Sequence, residues 1–239
     1  MPIALATPAS VIPAAFAAIR QVFSPPLRQL LWRSLGFTIL LLGLVWWALV
    51  KGLGAWMAGH PLAADYPMLD STLIFLTGFG LVIGFAYLLP AVSALVAGAF
   101  LDDAALAVEA SDFPADPPGR PISLGLSIAY GLRFALLALG VNLIALLLIF
   151  VPVVNVVAFF GANAYLLSRE YFEMAAGRFR PIAEARRLRR ENRATVLAGG
   201  AVMAGLMLIP VANLLTPLFG IALMVHLHKR IARRLPPPL

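Results

Sequence analysis

The chain has no cysteine, which removes disulfides, Cys-ligated zinc or iron–sulfur centres and thiol chemistry from consideration. Charge is sparse as well: only 12% of its 239 residues are charged, and acids number 11. There are three histidines, and His60 lies about 165 residues from His226 and His228, beyond a different apolar run, so no metal site and no cofactor are expected. No Ser/His/Asp set or phosphate-binding loop is present either. The carboxylates that do stand together, Asp102/Asp103 and Glu170/Glu173, fall at predicted helix ends and read as solvated faces. An enzyme is not expected.

Apolar surface, by contrast, is abundant. At 62% hydrophobic residues, the chain has more than a soluble core of this size can hide, and a lipid bilayer is the default solvent. In a soluble protein the net charge of +7 would raise the question of nucleic acid. Here the arginines flank uncharged runs, the pattern of the positive-inside rule, so no nucleic-acid partner is expected. The first residues lack the basic start of a cleavable signal, and Pro2, Pro8 and Pro13 break any hydrophobic region, so this segment is expected to remain in the mature protein.

Taken in order, residues 1–23 form an interfacial segment, and Ser24 followed by Pro25 marks the cap and first position of a long helix over 24–58. Trp46, Trp47 and Trp56 anchor its far end, and Lys51 can snorkel. A second long helix spans 71–109, with 31 uncharged residues from Ser71 to Leu101. Residues 110–122 are a Pro-rich linker. They lead to a hairpin over 123–168, an Arg-rich section over 169–193 with eight arginines against four acids, a second hairpin over 194–228 and a basic tail over 229–239.

A repeated phrase organises the two hairpins. Pro-Val-x-Asn occurs at Pro152/Asn155 and again at Pro210/Asn213, 58 residues later. Proline breaks a helix, and asparagine tolerates left-handed backbone and caps the next one, so each copy predicts a hairpin tip. The arms are Phe134–Val151 and Val156–Ser168 in the first hairpin, roughly 27 and 20 Å, and about 21 to 22 Å each in the second. Three of the four are short against a hydrocarbon core of about 30 Å, which favours re-entrant hairpins over full crossings. Non-helical tips at depth need burial against the long helices or another subunit. The fold class expected is therefore all-α integral membrane, with two long transmembrane helices, two short re-entrant hairpins and amphipathic interfacial helices. In this topology all but Lys51 of the 18 lysines and arginines share one face, which is assigned to the cytoplasm along with both termini.

Three stretches, MLIPVANLLTPLFGIALMVHLHKR (Met207 to Arg230), FVPVVNVV (Phe150 to Val157) and AGAFLDDAALAVE (Ala97 to Glu109), resemble the CysZ sulfate-permease family, related to the etoposide-induced membrane proteins. The resemblance implies two long transmembrane helices, two hemi-penetrating hairpins, a homo-oligomer in the inner membrane and sulfate bound near the start of the first long helix. The matching stretch is Pro26-Leu27-Arg28-Gln29-Leu30, where Arg28 keeps one arginine of the family pattern, Gln29 replaces the second and Pro26 replaces a small residue. After the first hairpin, Glu170-Tyr171-Phe172 stands where the family tends to show Asp-Tyr-Pro. The chain is similar to a divergent branch.

Two functions follow. In the first, the chain is a permease for sulfate or a similar small oxyanion, with Arg28, Ser24 and Gln29 at the anion site and the tips Pro152, Asn155, Pro210 and Asn213 along the path; the tip asparagines either line that path or cap their own helices. In the second, it is a non-transporting membrane scaffold or assembly protein whose Arg186, Arg187, Arg189 and Arg190 face anionic lipid or a partner protein.

Overall fold

The computed structural model describes residues 10–59, 100–121, 152–213 and 215–234, with isolated helical residues between 75 and 83 and between 125 and 140. Most of the second long helix, the first arm of the first hairpin, His60 and the last five residues lie outside the described residues, as do the side chains of Trp56, Pro152 and Asn155. Among the described residues there is no strand. The helices are α1 (Val11–Val22), α2 (Pro25–Gly59), α3 (100–112), α4 (Pro152–Gly177), α5 (Ile182–Glu191), α6 (Arg193–Met207), α7 (Pro210–Asn213) and α8 (Thr216–Ala232).

Small residues set how closely the central helices approach. α4 packs against α6 and α8, and α1 lies along α8. Gly200 of α6 faces the Ala164 carbonyl and Ser168 of α4 so tightly that a Cβ there would overlap both. Gly220 of α8 does the same against Met203 and Tyr171. Phe172, Leu167, Met203, Leu223 and Leu227 fill the space between these helices. On α1 the buried residues Val11, Ala14, Ala18 and Val22 recur at helical spacing, while Ile12, Phe16, Ile19 and Phe23 form an exposed apolar face.

α2 leaves this body. Beyond Leu27, which is buried, its large apolar residues Trp32, Phe37, Ile39, Leu40 and Trp47 are exposed. Among the described residues only its Pro25–Gly52 portion is long and apolar enough to cross a membrane; it has a mean hydropathy of 1.8 and none of the window is buried. Its 28 residues measure about 42 Å, more than a bilayer core requires.

The hairpins differ from expectation in two respects. α4 begins at Pro152, where a missing amide is tolerated, and continues through Ser168 to Gly177. Its apolar part, 152–168, is therefore about 26 Å long rather than 20 Å. Charge did not end the helix, because Arg169 and Glu173 are four residues apart and pair along it. The second tip is a one-turn helix, Pro210–Asn213, in which the Asn213 amide donates to the Ile209 carbonyl at 2.8 Å. No described non-glycine residue has positive φ, so Asn213 does not use the left-handed backbone anticipated for it. Its exposed side chain accepts a long 3.4 Å hydrogen bond from the Thr216 hydroxyl at the start of α8.

Candidate functional site

Polar chemistry in the described residues gathers at one end of the bundle, where α3, the segment 113–121, the end of α4, α5 and the ends of α1 and α8 meet. Arg178, just past the end of α4, is the first anchor. It is 2% exposed, and its guanidinium donates to both Glu109 oxygens, at 2.7 and 3.3 Å, and pairs with Asp102. The Gly119 amide donates to Glu109 at 2.8 Å, and the Arg120 amide donates to the Arg178 carbonyl at 2.7 Å. A side chain at Gly119 would meet Arg178 Cβ at 2.8 Å, so glycine permits this closeness. Burial pushes the Glu109 carboxyl up; the Gly119 amide and the charge of Lys229 pull it back. Arg178 is pushed down by the same burial.

A second group centres on Glu173, which is 2% exposed. Arg189 and Arg186 of α5 donate Nε hydrogen bonds to its two oxygens at 3.1 and 3.2 Å, and Arg169 lies at 3.8 Å. One turn earlier Glu170 is equally enclosed, with Arg133 at 3.9 Å. Burial pushes the Glu170 carboxyl up, against the lowering influence of Arg133 and Arg169.

The third group ties α1 and α8 to the end of α3 and the segment that follows it. Gln21 of α1 donates to Ser111, and its amide oxygen lies 3.0 Å from His226 Nε2. Asp112 pairs with Arg20 and His226, and Lys229 pairs with Asp116 at 3.1 Å while lying 4.2 Å over the Phe179 ring. His228 stacks on Phe179. Among the described residues no group of His, Asp or Glu is arranged to hold a metal ion.

The sequence-derived candidates are spread over different parts of the molecule. Ser24, Arg28 and Gln29 lie at the start of α2, with both longer side chains exposed. Few backbone amides are free there: Pro25 and Pro26 have none, the Ser24 amide donates to Gln21, and the Arg28 amide donates to Ser24. Only that of Leu27 remains at the helix start. Any anion held here relies on side chains. Pro152 and Asn155 occupy the first turn of α4. Of the four α5 arginines, Arg186 and Arg189 turn toward Glu173; Arg187 pairs with Glu191 and, like Arg190, is exposed.

One reading is corrected. Glu170 and Glu173 are not a solvated face, since both are buried beside arginines, as Glu109 is; of the other pair, Asp103 is exposed and Asp102 meets Arg178. The only signal in the sequence was the excess of arginines after Ser168, eight against four acids over 169–193.

Among the described residues, all helical or irregular, one exposed apolar helix of membrane-crossing length leaves a compact, arginine-rich helical base. The chain belongs to the sulfate transporter CysZ/etoposide-induced protein 2.4 family, whose model matches residues 14–217, well over half its length. This is a family of membrane proteins of the transporter type. No curated protein matches the chain.

Proposed function

We propose that the chain is a permease of the cytoplasmic (inner) membrane for sulfate or a similar small oxyanion, acting as a homo-oligomer. The observation that carries this reading is family membership over residues 14–217, in a family whose description names a sulfate transporter. In this reading α2 and the helix over 71–109 cross the bilayer, and the hairpins dip into it from the arginine-rich side. The lengths of α6 and α8, 15 and 17 residues or about 22 and 26 Å, support a shallow second hairpin. The exposed flank of α2 offers lipid or a second copy an apolar surface. Arg28, with Ser24 and Gln29, receives the anion at the foot of α2, and Asn155 and Asn213 mark the depth reached by the tips.

Radiolabelled sulfate flux into proteoliposomes tests both levels. Wild-type protein takes up sulfate, and Arg28→Glu reduces uptake by roughly tenfold or more, the loss expected for one charge-assisted contact. No uptake by the wild type overturns the permease, and unchanged uptake in Arg28→Glu overturns the site.

A further inference from the structure

The Glu173 group contains more positive charge than its own carboxylates balance. Four arginines, Arg133, Arg169, Arg186 and Arg189, surround two glutamates, Glu170 and Glu173. Arg186 and Arg189 approach Glu173 through Nε, and no terminal nitrogen of Arg169, Arg186 or Arg189 makes a hydrogen bond among the described residues. Arg169 Nε and Glu170 Oε1 are enclosed and have no hydrogen-bond partner. Three guanidinium groups drawn to one carboxylate repel each other, and each retains planar N–H edges suited to a tetrahedral oxyanion. The excess of arginine over carboxylate favours an anionic ligand.

Arg169 directly follows the uncharged part of α4, and Arg133 directly precedes the uncharged stretch that begins at Phe134. In the topology proposed above, the group therefore stands at the charged ends of the two uncharged stretches that flank Pro152. Glu170 would repel an anion if fully ionised, but burial favours its neutral form.

We infer that Arg169, Arg186 and Arg189, oriented by Glu173, form a second oxyanion site for a sulfate- or phosphate-type group, either free or carried on a lipid headgroup. It is separate from the helix start at Arg28 and does not require that the protein transport anything. Glu173 has a positioning role: it holds the Nε edges and leaves the terminal nitrogens to the ligand.

The test uses the full-length protein in neutral phosphatidylcholine nanodiscs, melted against sodium sulfate at ionic strength held constant with sodium chloride. Sulfate raises the wild-type Tm, and the concentration for half the shift rises about a hundredfold in Arg186→Gln/Arg189→Gln, the loss of roughly two charge-assisted contacts. Arg120→Gln/Arg193→Gln, which removes the same charge from exposed positions, keeps the wild-type response. If the glutamine pair does not fold, Arg186→Lys/Arg189→Lys keeps the charge, loses the planar fork and weakens the response several-fold. A parallel arm replaces sulfate with phosphatidylglycerol in the nanodisc; a Tm rise there that depends on Arg186 and Arg189 assigns the site to a lipid phosphate. No shift with either probe, or equal shifts in the wild type and both cluster variants, overturns the site. A wild type with the sulfate shift but no flux keeps this site and overturns the permease; flux without any shift overturns this site alone.

Discussion

Glu170 and Glu173 are three residues apart on α4 and equally enclosed, at 3% and 2% exposure, yet their surroundings give opposite expectations. Glu173 receives two hydrogen bonds from α5, whereas Glu170 has an oxygen with no hydrogen-bond partner. Glu173→Gln should therefore destabilise the protein by about 3 kcal/mol, the scale for removing one partner of a buried charged set. Glu170→Gln should leave Tm unchanged or raise it. The sign with pH follows from burial: the folded Glu170 carboxyl is pushed above its ordinary 4.5, so its ionised form weakens the fold. The wild type loses this contribution as pH rises from 4.5 through the raised value. The Tm advantage of Glu170→Gln should accordingly grow between pH 5 and pH 8, measured by thermal melts in a fixed detergent. An advantage that shrinks as pH rises contradicts the assignment.

Among the elements, the segment 113–121 shows how a loop without regular structure is held. It is fastened through backbone amides, Gly119 to Glu109 and Arg120 to the Arg178 carbonyl, and through Lys229 to Asp116. Gly119→Ala would bring a methyl group against Arg178 Cβ, so residues 113–121 should exchange amide hydrogens at least about tenfold faster, equivalent to roughly 1.4 kcal/mol of lost protection. Hydrogen exchange read by mass spectrometry checks this; unchanged exchange there would show that the strap does not depend on the glycine. The same segment marks what was legible in the sequence. Ser24 followed by Pro25 located the foot of α2 to within a residue, whereas Pro152 and Pro210, read as breaks in a helix, each open one. The Glu109–Arg178 pair, 69 residues apart, has no local period, and no pattern of spacing reveals a partner on another element. The candidate site at Arg28 was found from a short motif, while the Glu173 group was missed because acids beside arginines look alike whether they are solvated or enclosed.

On the scale of the whole molecule, the lack of cysteine makes topology directly measurable, since every introduced cysteine is the only one. With the proposed arrangement, Lys51→Cys reacts with an impermeant maleimide from one side of sealed vesicles, and Arg120→Cys and Arg193→Cys react only from the other. Asn213→Cys discriminates between hairpin depths: poor labelling from both sides fits a re-entrant tip, and ready labelling from the Lys51 side requires a full crossing. The base, meanwhile, joins α1 to α8. Gln21 meets His226 across 205 residues, and Arg230 reaches the Ser10 carbonyl across 220. A ribosome therefore releases α1 and α2 long before α8 exists to receive them. During that interval the seam of α1 formed by Val11, Ala14, Ala18 and Val22 has no mate, and the adjoining face of Ile12, Phe16, Ile19 and Phe23 leaves the newborn helix apolar on two sides. α8, when it is made, closes the seam that α1 has presented since early in synthesis.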